Sequence, residues 1–274
     1  MLAAAGPFFP YPLDDVFKVI ARSGFEGVEV MVTTERETQD PAALLALSER
    51  HGLPIPVIHG PFLLLTKGVF GTDPREKIAR SVDLAEAVGA GVVVIHAPYR
   101  WEVGYAEWLP GEIARIHAER GIMVTVENMF PIQLRGLRVS FFAGTELEAM
   151  RQFRFLALDT SHAAVAGLDL LPAYRSVADE VVHVHSSNNA GTGRDTHAPL
   201  EDGVLPVGEF LEELTIRGYT GAVTLELNLR SQMEDAERLA ATLRHNATLA
   251  RIFMERGLRR STATPTGPTA GAER

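Results

Sequence analysis

The sequence predicts a single closed α/β barrel of eight parallel strands, a (β/α)8 TIM barrel, followed by a disordered C-terminal tail. Three observations carry that prediction. Strand-like apolar runs alternate with helical segments eight times along the chain, the pattern of a parallel sheet covered by helices. At 274 residues and 46% hydrophobic, the chain suits one barrel of about 250 residues. Most telling, the short apolar runs each end on a side chain able to hold a metal. Val57-Ile58 meets His59, Val92 to Ile95 meets His96, and Ile122 to Val126 meets Glu127. Phe155 to Leu158 meets Asp159, Val181 to Val184 meets His185, and Val223 to Leu225 meets Glu226. In a closed barrel the C-terminal ends of the strands converge on one rim, where active sites of that fold lie.

The elements follow in order. A weakly marked first strand lies within Leu2 to Phe9, followed by a helix from Leu13 to Ser23 that Gly24 closes. Strand two is placed at Gly27 to Val32, and a helix at Pro41 to His51. Strand three ends at His59. The next helix opens at Asp73-Pro74, a capping residue followed by a first-turn proline, and stops near Gly89. Strand four ends at His96 and is followed by a helix from Tyr105 to Arg120. Strand five ends at Glu127. Phe130 to Gly144 reads as loop, with a short helix after Thr145. Strand six ends at Asp159, before a helix from Leu168 to Val177; strand seven ends at His185, before a polar loop and a helix from Val207 to Arg217. Strand eight ends at Glu226, and a last helix covers Gln232 to Arg256. Residues 1–257 are thus assigned to the barrel, and the Ser-, Thr-, Pro- and Gly-rich residues 258–274 to the tail.

Composition narrows the chemistry. With no cysteine, disulfides and thiolate zinc sites are excluded, so any metal must bind through His, Asp and Glu. A net charge of −9 without a basic block argues against a nucleic-acid partner, although a local basic groove would leave that reading open. The N-terminal stretch lacks a basic region and meets Pro7 and Pro10 early, unlike a signal peptide, and no run reaches the length of a membrane span. A cytoplasmic location without membrane association is the expectation.

Side-chain alternation places His183 and His185 on one face of strand seven and Val182 and Val184 on the other. The valines suit contact with helices, so both histidines face the barrel interior, His185 as the rim ligand and His183 as a hydrogen-bonded core residue. Glu29 alternates against Val28, Val30 and Val32 and is read as a polar residue of the barrel interior. Glu127 and Glu226 each follow an apolar run. Burying such carboxylates costs several kcal/mol unless a cation or hydrogen bonds compensate. With Asp159 and His185 they form an oxygen-rich set suited to Mn, Mg, Co or Zn. His162, just beyond strand six, and the pair Asp195 and His197 can complete further metal positions with His59 and His96, or bind substrate. Phe62, Tyr99, Trp101 and Asn128 are candidate walls of a substrate pocket. No dinucleotide fingerprint, phosphate loop or Ser-His-Asp pattern is convincing, so no organic cofactor is expected. His51, His117 and His245 lie in helical stretches, facing solvent or packing.

With those residues placed, the chain resembles the xylose isomerase-like TIM-barrel superfamily, which unites sugar phosphate isomerases and epimerases with endonuclease IV-type AP endonucleases. The similar segments are Gly27 to Val30, His59-Gly60-Pro61-Phe62, Val94 to Tyr99, Val126 to Met129, Leu158 to Gly167, His183-Val184-His185, Asp195-Thr196-His197 and Leu225-Glu226. In isomerases and epimerases the resemblance implies one divalent ion among Glu127, Asp159, His185 and Glu226, with both glutamates shuttling a proton next to a carbonyl through an enediolate. In the endonucleases it implies three zinc ions, those four residues being joined by His59, His96, His162, Asp195 and His197. Two departures count against the nuclease. Ser186 to Gly191 lacks its Asn-Asp/Glu-Ser/Ala-Lys pattern, and Ser161 stands where it has Cys. The expected activity is therefore isomerisation or epimerisation of a small sugar, sugar phosphate or polyol, with an AP endonuclease-like phosphodiester hydrolase as the alternative. The relatives also leave room for a homo-oligomer.

Overall fold

Which face of each strand meets what decides this architecture. In β4 (Val92–His96) and β5 (Met123–Glu127), Val93, Ile95, Val124 and Val126 point outward into one large apolar cluster. That cluster also contains Ile78 and Val82 of α3 (Pro74–Val88) and Leu109 and Ile113 of α4 (Val103–Arg120). The alternate residues point inward, where Val57, Val92, Val94, Ala157 and Leu2 form a second, smaller apolar cluster. Helices cover the outside of the sheet, and an apolar plug fills the N-terminal half of its lumen. The inward positions nearer the C-terminal ends are left to polar groups.

The computed structural model describes residues 1–62, 66–134 and 137–263. The remaining barrel strands are β1 (Leu2–Ala4), β2 (Val28–Met31), β3 (Val57–His59), β8 (Leu156–Asp159), β9 (Val181–Ser186) and β10 (Ala222–Leu225). They close with β4 and β5 in the order β1-β10-β9-β8-β5-β4-β3-β2, every pair parallel. The predicted barrel is the observed one. The other helices are α1 (Leu13–Arg22), α2 (Pro41–His51), α5 (Leu147–Met150), α6 (Thr160–Ala166), α7 (Leu170–Val177), α8 (Val207–Ile216) and α9 (Ala236–Ala263). Local signals set several boundaries. The Asp40 and Asp73 side chains accept from the second amides of α2 and α3, each helix starts on proline, and each ends on a left-handed glycine, Gly52 or Gly89. Among the described residues no helix is long and apolar enough to cross a membrane.

The structure departs from the sequence expectation in three places. The stretch read as loop between Phe130 and Gly144 contains an antiparallel hairpin, β6 (Ile132–Leu134) with β7 (Leu137–Val139), registered Ile132 to Val139. Runs of three residues fall below the length at which alternation stands out from chance. A separate helix, α6, starts directly on the end of β8. Its cap is Asp159 itself, whose Oδ1 accepts from the His162 amide at 2.7 Å. Finally, α9 continues to Ala263 instead of stopping at Arg256. Gly257 reads as a helix stop, but here it is the crossing point of two helices. A Cβ at this position would run into Thr215 and the Glu212 carbonyl of α8. Arg260 then reaches Glu212 at 2.7 Å. Of the predicted tail, residues 258–263 are helical, and 264–274 lie outside the described residues.

Candidate metal centre

Register brings the donors together. His96 is level with Glu127, and Asp159 with His185. His59 is level with Val94, Glu127 with Ala157 and His185 with Thr224. Around the barrel the donors therefore climb by whole pleats, which conserves parity, so all of them face the lumen. His59, His96, Glu127, Asp159 and His185 are buried, while Glu226, just past β10, keeps its side chain 12% exposed at the mouth.

Donor atoms of Glu127, Asp159, His185 and Glu226 all lie within 4.8 Å of one another. His185 Nδ1 is 2.7 Å from Glu127 Oε1, 3.1 Å from Glu226 Oε2 and 3.8 Å from Asp159 Oδ2. Glu127 Oε2 and Asp159 Oδ2 are buried and have no hydrogen-bond partner. A buried carboxylate oxygen without a donor costs about 1–3 kcal/mol or more; a cation removes that cost. Three carboxylates and one imidazole suit Mn, Mg, Co or Zn, so these residues fit a divalent ion.

Besides a group of Glu29, His59 and His185, two further groups adjoin the first. His59 Nε2 and His96 Nε2 stand 3.4 and 3.3 Å from the orphan Glu127 Oε2. That is long for a hydrogen bond of this kind, but zinc bonds of about 2.0–2.1 Å in a tetrahedron set donor atoms about 3.3 Å apart. His59 Nδ1 lies 3.1 Å from the Gly60 carbonyl. If Nδ1 carries the proton, it donates there and Nε2 keeps its lone pair for the lumen. On the other side Asp159, His162 and His197 form a third group. His162 Nδ1 faces the Asn128 carbonyl at 2.9 Å. Asp195 Oδ2 is 3.5 Å from His162 Nε2 and 2.8 Å from His197 Nε2. Ser161 donates to Asp195 Oδ1 at 2.6 Å, a positioning role invisible in the sequence. His197 adopts a φ of 40°, a strained backbone for a residue with a Cβ; its carbonyl is held by the Asn228 amide at 2.8 Å.

All nine predicted donors therefore meet at one mouth. The pocket residues are less uniform. The Asn128 side chain accepts from the Asp159 amide at 2.7 Å and donates to the Asp159 carbonyl at 3.1 Å, which splints β8 to β5. Phe62 packs against Gly60, where a Cβ would meet its ring at 2.9 Å. Tyr99 stacks between Phe142 and Trp101 at 4.6 and 4.7 Å, leaving Trp101 64% exposed. Phe130 lies 4.7 Å from the His162 ring. Glu29 was read only as a polar interior residue, yet it contacts His185 directly, Oε1 to Nε2 at 2.8 Å.

Protons follow the same charge pattern in the metal-free protein. Burial works against the charged form of Glu127, but His185 and His162 outweigh it and hold the carboxyl well below the usual range. Burial raises Glu226 and pushes His96 down to about 3, so His96 is neutral and its lone pair is free. Despite burial, Glu226, Asp159 and Asp195 lift His197 to about 9. His197 thus contributes stability fully present below its unfolded value near 6.5 and lost as pH climbs through about 9. Glu127 contributes stability present above about 4.5 and lost as pH falls through its depressed value. With chelator, the melting temperature should peak near about pH 6.5, falling toward about pH 9.5 as His197 loses its proton and falling in acid, where His96 stays neutral in the fold but is protonated in the unfolded chain. A calorimetric profile flat above about pH 6.5 would reject these ion pairs as a stabilising element.

Fold and site together define a (β/α)8 barrel with a candidate metal centre at the C-terminal mouth of its strands. The model of the family described as xylose isomerase-like TIM barrel matches residues 17–247, and the chain belongs to that family. It is 34% identical over 252 residues to an uncharacterized protein of Mycobacterium tuberculosis strain H37Rv, covering 84% of this chain and 89% of that one. Among solved structures it is similar to the apo form of a 3-keto-D-glucoside 4-epimerase from E. coli, with a TM-score of 0.66, 18% identity and coverage of 90% and 98%. It is also similar to an AP endonuclease, family 2, from Brucella melitensis, with a TM-score of 0.67, 21% identity and coverage of 88% and 97%. At those identities the solved structures speak to the fold.

Proposed function

We propose that this protein is a divalent-metal-dependent isomerase or epimerase of a small carbohydrate, whether a sugar, a sugar phosphate or a polyol-derived ketone. The observation carrying this reading is the four-donor group, in which two glutamates share one cluster and Glu127 keeps an unpartnered oxygen. An ion held by Glu127, Asp159, His185 and Glu226 would polarise a carbonyl and stabilise the enediolate charge. Glu127 enters from β5 and Glu226 from the end of β10, with β8 and β9 between them. The two carboxyls therefore approach a bound substrate from different sides, one taking a proton from the carbon beside the carbonyl and the other returning it. Phe62 and Phe130 would wall the mouth and exclude water.

One observation favours a second reading, phosphodiester hydrolysis at a centre with several ions. The groups His59, His96, Glu127 and Asp159, His162, His197 share their carboxylates with the first. Against it, rim arginines spend hydrogen bonds on backbone: Arg100 on Phe142 at 3.2 Å, Arg138 on Val165 at 2.6 Å and Arg230 on Pro7 at 2.8 Å. Each of these guanidiniums commits a donor to the fold, leaving fewer for a phosphate backbone. The test is to count ions in the purified protein, then offer it candidate ketoses in deuterated water and abasic duplex DNA. One ion per chain with deuterium entering the sugar carbon beside the carbonyl is the expected result. Three ions with chelator-sensitive nicking would replace the first reading by the second.

A further inference from the structure

Beneath the donor groups lies a polar layer that neither chemistry uses. Glu29 projects from β2 into the lumen, 2% exposed, and reaches partners on β9 and β10, which are not its neighbours in the barrel. The intervening β1 permits this because Ala4, level with Glu29, carries only a methyl group. Glu29 Oε1 is 2.8 Å from His185 Nε2. Glu29 Oε2 is 2.8 Å from His183 Nε2 and accepts from Thr224 Oγ1 at 2.7 Å. His183 Nδ1 is buried with no partner, so with its proton on Nε2 the His183 ring serves to hold Glu29.

We propose that Glu29, clamped by His183 and Thr224, is the positioning residue that fixes the His185 tautomer and so presents His185 Nδ1 to the ion. A carboxylate only accepts hydrogen bonds, so the nitrogen facing it carries the proton. By the same rule His185 Nδ1, 2.7 Å from Glu127 Oε1, also carries a proton in the metal-free protein; an ion entering among Glu127, Glu226 and Asp159 would displace that proton to solvent, while the proton on Nε2 stays with Glu29. Such outer partners of a ligating imidazole fix ring orientation and raise its basicity. The inference rests on the proposed ion site, but it concerns a residue that the chemistry itself does not use.

Glu29→Gln tests it. The amide offers one acceptor oxygen and one NH2 to three donors, so an imidazole must turn its tautomer. If His185 turns, its Nδ1 is blocked; if His183 turns, a buried N–H is left without an acceptor. Zinc affinity, measured by competition titration, should fall about 10–100-fold. Thr224→Val removes one steering hydrogen bond without adding a donor and should weaken zinc by about two- to ten-fold. Nitrogen-15 NMR of the zinc-loaded wild-type protein should show the His185 proton on Nε2. That spectrum and Thr224→Val decide the matter if Glu29→Gln does not fold. A proton on Nδ1 in the loaded wild type, or unchanged affinity and tautomer in the folded variants, overturns the role of Glu29. Failure of the wild type to take up zinc at this cluster would instead sink the ion site.

Discussion

Glu226→Gln should lower turnover on a carbohydrate substrate by about 10²–10⁴-fold, the usual contribution of a positioned general acid or base. Glutamine keeps the shape of the side chain and one oxygen able to face the ion, but it cannot carry a proton at neutral pH. The site makes that loss severe. Burial raises the proton affinity of Glu226, while His185 and His162 keep Glu127 ionised against its burial. In the metal-free protein the two carboxyls thus differ in proton affinity, and the proposed reaction needs both, one taking the proton and the other returning it, so Glu127 cannot simply stand in. The readout is the rate of deuterium entry at the carbon beside the carbonyl, taken alongside metal content. Wild-type exchange in a variant that holds its ion would remove Glu226 from the chemistry. Exchange lost only together with the ion would make it a ligand alone.

The rim was legible because six of the nine donors stand where an apolar run stops, and a parallel strand buried on both faces must be such a run. Alternation then told His185 from its outward neighbours. Connections and partners were harder to read. The hairpin after Phe130 is built from strands of three residues, and α6 has no loop before it to announce its start. Gly257 carries the composition of a helix stop, but its role is helix crossing, which depends on where α8 lies. Asn128 follows a predicted ligand, and its amide matches the Asp159 backbone across the β5/β8 seam. Glu29 was visible as an inward residue, but its span across the lumen depends on Ala4, a position whose importance is the absence of a side chain. Such facts belong to pairs of residues distant in sequence, and no local pattern encodes them.

Asp159→Asn should nearly abolish divalent-ion binding at the four-donor group while leaving the fold intact, because the two oxygens of Asp159 do different work. Oδ1 accepts from the His162 amide at 2.7 Å and caps α6. Asparagine is an equally good cap, and its amide oxygen can occupy that place. Oδ2 is the buried oxygen with no hydrogen-bond partner. It becomes an NH2 facing His185 Nδ1, at 3.8 Å in the wild type, and His197 Nδ1, at 3.9 Å. An NH2 donates and cannot ligate, and the group loses one negative charge. Affinity should therefore fall by more than the about 10–100-fold typical of losing an outer partner, while the chelated protein melts close to wild type. Asp159→Ala separates the two roles: it loses the same ligand and in addition about 0.5–2 kcal/mol of helix capping. Titration calorimetry with zinc, paired with chemical denaturation in chelator, reads both quantities. Equal metal affinity in wild type and Asp159→Asn would mean that the unpartnered oxygen is not a ligand, and the four-donor group would have to be abandoned as the ion site.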